Sequence, residues 1–301
     1  LGRASIDIIE CGFIRSGQVN RDKSVFSSTD KILPYINKKR AMYVAMIQYG
    51  AISIDEITDC DSDTVDGIRL TFHEHEIEPA FVLGKELMNK GYKVFMQPVG
   101  TTTYTYTALS SLVDRVNGLR PYAFYMVDTF GKMHINEALK MFHFINDRLE
   151  SEILLGIHSH NNLQMAFADA QALCQLKTAR DIIIDSSIMG MGRGAGNLNT
   201  ELITEYLNLY FGHRYNIREV LRLLDEYVYP LSKIYKWGYN PAYYLAAVID
   251  CHPNYASYLL KFENLKTNDI RTILESLEKD KRVLYDETYI KKKYLNYMAV
   301  Y

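Results

Sequence analysis

Seven short runs of apolar and β-branched residues recur along the first two-thirds of the chain, at Ile6–Gly12, Met42–Gln48, Gly67–Phe72, Lys93–Pro98, Ala123–Asp128, Leu154–His158 and Ile182–Ser187. They start roughly 25 to 35 residues apart, the length of one strand–helix unit. Each run is apolar along most of its length, as a strand is when both of its faces are covered. Helical patterns fill several of the gaps. Glu78–Lys90 ends at Gly91, a C-terminal stop, and Asn136–Leu149 and Leu163–Leu176 carry apolar residues at three- and four-residue steps.

Repeated βα units build either an open doubly wound sheet or a closed barrel. The barrel is favoured because polar residues stand at the C-terminal end of nearly every run, where barrel active sites collect: Glu10, Gln48, His73, Gln97, Asp128, His158 with His160, and Ser186. The expectation is an α/β (β/α)8 TIM barrel with seven visible units, the first strand and most of its helix preceding Leu1. From Glu201 the pattern turns helical through Glu201–Phe211, Ile217–Tyr227, Trp237–Ile249, Tyr255–Leu260 and Asp269–Lys281, with a Lys/Tyr-rich end from Tyr289 to Tyr301. With no Pro/Gly/Ser linker in between, residues 1–200 read as the barrel domain and 201–301 as a C-terminal helical lobe packed on it.

Charge and composition narrow the function. The formal net charge of −2 over 301 residues offers no basic field for nucleic acid or an anionic membrane. No apolar run reaches the roughly 18 residues of a membrane span, and the first residues are not a signal peptide. Cys11, Cys60, Cys174 and Cys251 form no close pair and read as reduced thiols, so a cytoplasmic location is expected. Most of the 24 tyrosines fall in the last third. They suit half-buried surfaces, so the lobe is a candidate interface with another copy or a partner enzyme, ordinary helix packing being the alternative.

The strongest chemical signal is His158-Ser159-His160 at the end of the sixth run. Residues two apart in extended chain point the same way, so both imidazoles can meet at the barrel mouth. Two imidazoles suit Mn²⁺, Zn²⁺ or Co²⁺, and hydrogen-bonded structural histidines are the plainer alternative. The second signal is the loop Gly190-Met191-Gly192-Arg193-Gly194-Ala195-Gly196-Asn197, running into a helix near Glu201. Its glycines, Gly194 and Gly196 among them, let backbone N–H groups approach a ligand closely. A tight loop with Asn197 or Asn199 as helix N-cap is the alternative.

The stretch from His158 through Asn161-Asn162-Leu163-Gln164 resembles the seventh-strand motif of the pyruvate carboxyltransferase-like, metal-dependent lyases. That group includes 4-hydroxy-2-oxovalerate aldolase, HMG-CoA lyase and isopropylmalate synthase. Gly190–Asn197 with Glu201 resembles its eighth-strand motif, Ile8-Ile9-Glu10-Cys11-Gly12-Phe13 its second strand, and Val127-Asp128-Thr129-Phe130-Gly131 its sixth. The wording is closest to the 4-hydroxy-2-oxovalerate aldolase family. The resemblance implies that His158 and His160 are metal ligands, with Asn197 at the position of a further ligand in the HMG-CoA lyase branch. It implies a divalent ion, Mn²⁺ first and Mg²⁺, Co²⁺ or Zn²⁺ after it, and cleavage of a 4-hydroxy-2-oxo acid to pyruvate and an aldehyde. The family's Asp-x-x-x-Arg-Asp-Gly-like first-strand motif, with its carboxylate ligand and arginine and the base near it, is not in this sequence.

Other candidates follow from position. Glu10 and Asp128, at strand ends facing the presumed cavity, are catalytic candidates that can support the metal, buried hydrogen-bonded acids being the alternative; Gln97 can bind a substrate oxygen, and Arg15 can reach a carboxylate. Trp237-Gly238-Tyr239-Asn240-Pro241-Ala242-Tyr243 is similar to a stretch from which the aldolases take an acid, which makes Tyr239 and Tyr243 candidates. His73-Glu74-His75 mimics a metal motif without the context of one. Cys251-His252-Pro253-Asn254 stands out but is no ligand set. The rival functions are an acyl-CoA-dependent lyase or synthase of the same group, a partner-docking barrel without catalysis, and a metal hydrolase, in which His-x-His would sit on the first strand.

Overall fold

The computed structural model describes residues 1–17, 19–38 and 40–299. Eight parallel strands form one sheet: β1 (Ile8–Ile14), β2 (Val25–Phe26), β3 (Met42–Gln48), β4 (Gly67–Phe72), β5 (Lys93–Pro98), β6 (Ala123–Asp128), β7 (Leu154–Ser159) and β8 (Ile182–Ile184). The order is β2-β1-β3-β4-β5-β6-β7-β8. All seven expected strands are present, four with the expected limits; β1 is displaced by two residues and β8 ends early. The addition is β2, a two-residue strand beside the end of β1, pairing Phe13 with Val25 and Ile14 with Phe26. Two residues are too few to leave a periodicity in sequence. Gly12, with φ 133°, lets β1 pass this segment, because a Cβ there would strike the Ser24 backbone.

From β1 through β3 to β8 the strands follow chain order with no reversal, unlike a doubly wound sheet, whose order switches direction. One apolar cluster joins Ile8 of β1, Val44 of β3, Phe95 of β5, Tyr125 of β6, Leu154 of β7 and Ile183 of β8. Side chains from both ends of the strand order meet there only because the sheet curls around them. The fold is TIM-barrel-like, with this cluster as its lumen. Alternate residues of the same strands, such as Ile47, Leu70, Val94, Met96, Phe124 and Ile157, face outward into the larger core.

That outer core is closed by α1 (Ile77–Asn89), α2 (Tyr106–Leu119), α3 (Ile135–Asn146) and α4 (Ala166–Cys174). α1 buries Leu83 and Leu87, α2 Leu112 and Val116, and α3 Phe142 and Ile145, each at three- or four-residue steps. α5 (Thr200–Phe211) continues this ring, since its Ile203 and Tyr206 share a cluster with Ala166 and Ala170 of α4. α6 (Ile217–Leu223), one π-helical turn (Leu224–Val228) and α7 (Tyr229–Ile234) follow. Val220 and Val228 pack with Ala4 and Ile188. The last helices, α8 (Pro241–Val248), α9 (Pro253–Leu259), α10 (Thr267–Glu275) and α11 (Glu287–Met298), have a core of their own around Leu245, Tyr255, Leu259, Ile273, Leu274 and Ile290. No helix among the described residues is long and apolar enough to cross a membrane.

Gly156 on β7 shows how tightly the lumen is filled. A Cβ at this position would fall inside the van der Waals surface of the Tyr125 ring. Gly156→Ala is expected to cost about 1–3 kcal/mol by overpacking. Chemical denaturation should show that loss shrinking in a Tyr125→Leu background, where the ring is gone; an equal loss in both backgrounds would mean the glycine serves the backbone instead.

Candidate functional site

β7 delivers His158 and, one residue beyond its end, His160. Their ring centroids are 5.0 Å apart and the rings nearly perpendicular. His158 Nδ1 lies 2.9 Å from Asp185 Oδ2, and His160 Nδ1 lies 2.9 Å from the Asp128 carbonyl oxygen. A carbonyl and a carboxylate only accept, so each Nδ1 donates. The lone pair of each neutral ring is thereby left on Nε2, the tautomer that metal-binding histidines adopt when oriented from behind. Burial, then the neighbouring His158 and Arg193, hold His160 well below the usual imidazole range, so it stays neutral near pH 7.

Asn197 comes to the same place through a backbone bridge with His160. Its amide nitrogen donates to the Met191 carbonyl at 3.1 Å, while its Oδ1 is buried without a partner. Two imidazoles with Nε2 left for a ligand, on a segment bridged by backbone to a residue whose amide oxygen is orphaned, are donor types that fit a divalent ion. Among the described residues no cluster of three His, Cys, Asp or Glu side chains forms a metal site, so no carboxylate completes this set.

Beneath the histidines lies a polar network that sequence reading did not find. Arg69, in the middle of β4, donates to Glu10 Oε2 at 2.6 Å and also pairs with Asp185 Oδ2. With the Gln97 amide oxygen turned toward it, Arg69 Nε donates to that oxygen at 2.8 Å. Its guanidinium lies 5.2 Å from the Tyr125 ring centroid, and Tyr125 donates to Asp185 Oδ1 at 3.1 Å. Burial raises the Asp185 carboxyl, yet Arg69 and His158 outweigh it and hold it below the usual carboxylate range. Asp185 therefore receives bonds from Arg69, Tyr125 and His158 together. A lone arginine in an apolar strand was the available signal for Arg69; its partners lie 59 and 116 residues away.

The remaining candidates are placed as follows. Glu10 and Gln97 are engaged by Arg69 rather than open to a substrate. Asp128 serves the site through its carbonyl oxygen. Its carboxylate accepts from the Met133 N–H at 2.9 Å, and burial raises its pKa. The Arg15 guanidinium lies 5.9 Å from the centroid of the Phe13 ring, with a buried, unpartnered Nε. Gly194 and Gly196 have φ of 67° and 84°; a Cβ at the first would meet Asn162, Pro253 and Tyr243, and at the second the Gly190 backbone and Trp237. These glycines close the loop and seat the C-terminal helices on it. Tyr243 borders Gly194, with its hydroxyl 3.2 Å from Ser257 Oγ, whereas Tyr239 is 62 % exposed and is not brought to the site. The His73 and His75 rings stack 5.7 Å apart and line a cleft bounded also by Phe130 and Leu284.

Asp169 on α4 is buried, has an unpartnered Oδ1, and is pushed up to about 7 by burial, with Asp128 and Glu137 adding to it. The folded protein thus holds a proton there that the unfolded chain releases near pH 4. The stability this proton lends is present below pH 4 and is lost as pH rises to about 7. Asp169→Asn should melt above the parent at pH 8, by on the order of 1 kcal/mol once screening by water is allowed for, and the gap should narrow at pH 5 and close below pH 4. Parallel melting curves at both pH values would remove the assignment.

The HMGL-like family profile matches residues 1–224. Similar proteins include oxaloacetate decarboxylase of Mycobacterium tuberculosis, 28% identical over 157 residues covering 52% of this chain and 45% of that protein. Another is 4-hydroxy-2-oxovalerate aldolase of Geobacillus thermodenitrificans, 24% identical over 201 residues, 65% of this chain and 56% of that one. The chain thus spans about half the length of these relatives. Among solved structures, the N-terminal domain of a candidate aldolase from Bacteroides vulgatus superposes with TM-score 0.68 at 23% identity, covering 86% of both chains. HMG-CoA lyase of Bacillus subtilis gives 0.56 at 12% identity, over 68% of this chain and 74% of that one. At these identities the structures speak for the fold.

Proposed function

The chain belongs to the HMGL-like family, and from that premise we propose that it has the activity of a divalent-metal-dependent carbon–carbon lyase. The reaction is cleavage or formation of a 4-hydroxy-2-oxo acid, with pyruvate and an aldehyde on the other side. The observation that carries this reading is the pair of imidazoles, 5.0 Å apart and both tethered from Nδ1 so that Nε2 is left for a ligand. His158, His160 and Asn197 would hold the ion, manganese first, with magnesium, cobalt or zinc as alternatives. Such an ion supplies the positive charge that stabilises a pyruvate-type enolate.

The chain's own residues do the rest. Asp185 and the Asp128 carbonyl fix the two ring orientations and keep a proton on each Nδ1. Arg69 keeps Asp185 ionised, so that His158 does not swing toward another acceptor. Tyr243, at the edge of the glycine loop, is the better placed of the two tyrosines to move a proton at a substrate oxygen. We read residues 1–200 as the catalytic part, residues 201–301 as a helical lobe packed on it, whose first helix α5 continues the barrel's ring, and the location as cytoplasmic.

Proton–deuterium exchange at the pyruvate methyl group, followed by NMR with and without Mn²⁺ or Mg²⁺, tests the reading on the full-length protein. Exchange needs the enolate but no aldehyde, so the unknown partner does not enter. Metal-dependent exchange is expected; its absence in folded, metal-loaded protein would shift the weight to an acyl-CoA substrate. A second reading, docking to another copy or a partner enzyme, draws on Leu209, Tyr210 and Ile234, which stand about 70% exposed on α5 and α7 (68%, 71% and 71%).

A further inference from the structure

Arg193 and His252 come together across the seam between the glycine loop and the C-terminal helices, Nη1 to Nε2 at 3.4 Å. His252 Nδ1 accepts the Asn254 N–H at 3.2 Å as the N-cap of α9. An imidazole that accepts at Nδ1 carries its proton on Nε2. The two atoms facing each other are therefore both donors, with no acceptor supplied between them. Arg193 also has no carboxylate in ion-pair distance among the described residues. The charged neighbours that act on His252 are Arg193 and His73, both cationic when charged. Glu74 and Asp280 line the nearby cleft but reach neither group as partners.

That cleft, of about 360 Å³, opens between the barrel mouth and the lobe. Val99, Tyr104 and Phe130 form one wall, and Val283 and Leu284 the other. It adjoins His252 through Phe130. The Phe130 ring meets the His252 ring edge-on at 6.3 Å, and Tyr285, next in chain to Leu284, packs on it at 6.1 Å. The Tyr104 hydroxyl is buried without a partner, leaving one more polar group for a ligand oxygen. Two donors facing each other without a carboxylate, next to an apolar cleft that holds the unpartnered Tyr104 hydroxyl, describe a site for a small amphiphilic anion.

We propose that the cleft receives the carbonyl partner of the reaction, and that Arg193 and His252 grip an anionic group on it, a carboxylate or a phosphate. The acceptor is then an acidic or phosphorylated aldehyde rather than a neutral alkanal. This assignment rests on the aldolase reading, but the binding of the anion does not depend on turnover. Arg193 offers a planar fork that a carboxylate or phosphate can bridge, which a lysine ammonium does not reproduce. His252 adds the second donor from the lobe, so the lobe completes the subsite.

Titration of the full chain with propyl phosphate, butyrate and butanol tests the idea, read by calorimetry and by emission of Trp237. This sole tryptophan donates to the Met189 carbonyl at 2.9 Å and borders Gly196 in the same loop. Propyl phosphate and butyrate are expected to bind saturably, and butanol not; the tighter of the two names the anion. Arg193→Met should weaken the anionic probes at least tenfold and Arg193→Lys less. His252→Asn, which keeps an N-cap acceptor for α9, should weaken them at least threefold. Absence of saturable binding, or variants that bind as the parent does, would overturn the site. Competitive displacement of propyl phosphate by pyruvate would also overturn it, because the pair would then hold the 2-oxo acid's own carboxylate. A protein that fails the pyruvate exchange yet passes these titrations would lose the aldolase reading and keep the anion site.

Discussion

Arg69→Met is expected to destabilise the protein by about 3–5 kcal/mol, the range for removing one partner of a buried ionic network. The side chain it removes is 9% exposed and neutralises Glu10 and Asp185 at once. Methionine fills much of the volume, so the loss measures charge and hydrogen bonding rather than a cavity. In a thermal melt the shift should be on the order of 10 °C for a chain of this size. Arg69→Lys restores one charge but not the fork that reaches both carboxylates, and should recover only part of the loss. The pH dependence gives a separate check. Because Asp185 is held below its usual range, the stability it lends is present above about pH 4 and lost as the pH falls further. The variant should lack that acid-side loss. A melt within a degree or two of the parent would show that water or a relaxed rotamer satisfies the carboxylates, and the network would then have no structural weight.

The second large effect is on the chemistry. His158→Ala removes one of the two tethered Nε2 donors and is expected to abolish metal-dependent exchange at the pyruvate methyl group. Asp185→Asn leaves the ligand in place but removes the charge behind it, and should lower metal affinity about 10–100-fold, the cost seen when a group supporting a ligand is lost. The two variants separate two roles. If His158 is a ligand, excess Mn²⁺ should recover much of the exchange in Asp185→Asn and none in His158→Ala. If both recover, His158 is not a ligand and the histidine pair is structural. If neither does, Asp185 has a further part in catalysis. The Arg69 variants connect the two experiments, since Asp185 serves the core through Arg69 and the metal site through His158.

The strands and the histidine pair were legible in the chain because both are local patterns. A strand buried on two faces must be apolar for several residues in a row, and the helix between two parallel strands sets the repeat. His158 and His160 share a direction because side chains alternate along an extended chain, whatever surrounds them. The glycine loop announced itself the same way, since φ of 67° and 84° at Gly194 and Gly196 is open to few other residues. The resemblance in those motifs pointed to the family that the profile match over residues 1–224 then established.

What tertiary structure alone decided is which polar groups meet. Glu10, Arg69 and Gln97 lie on β1, β4 and β5, while Asp185 follows β8, and only the curl of the sheet brings Asp185 to Arg69 across the lumen. Glu10, read as support for the metal or a buried hydrogen-bonded acid, and Gln97, read as a candidate for a substrate oxygen, both meet an arginine that had drawn no notice. Asp128 faced the site with its carbonyl rather than its carboxylate. Tyr239 and Tyr243, four residues apart near the start of α8, ended in different surroundings because only Tyr243 lies against the glycine loop. Arg193 and His252 are 59 residues apart and meet only because the last helices dock on the barrel mouth. The chain's periodicity specifies which side of its own element a residue faces. The partner it finds there depends on how distant elements pack, and no local pattern carries that information.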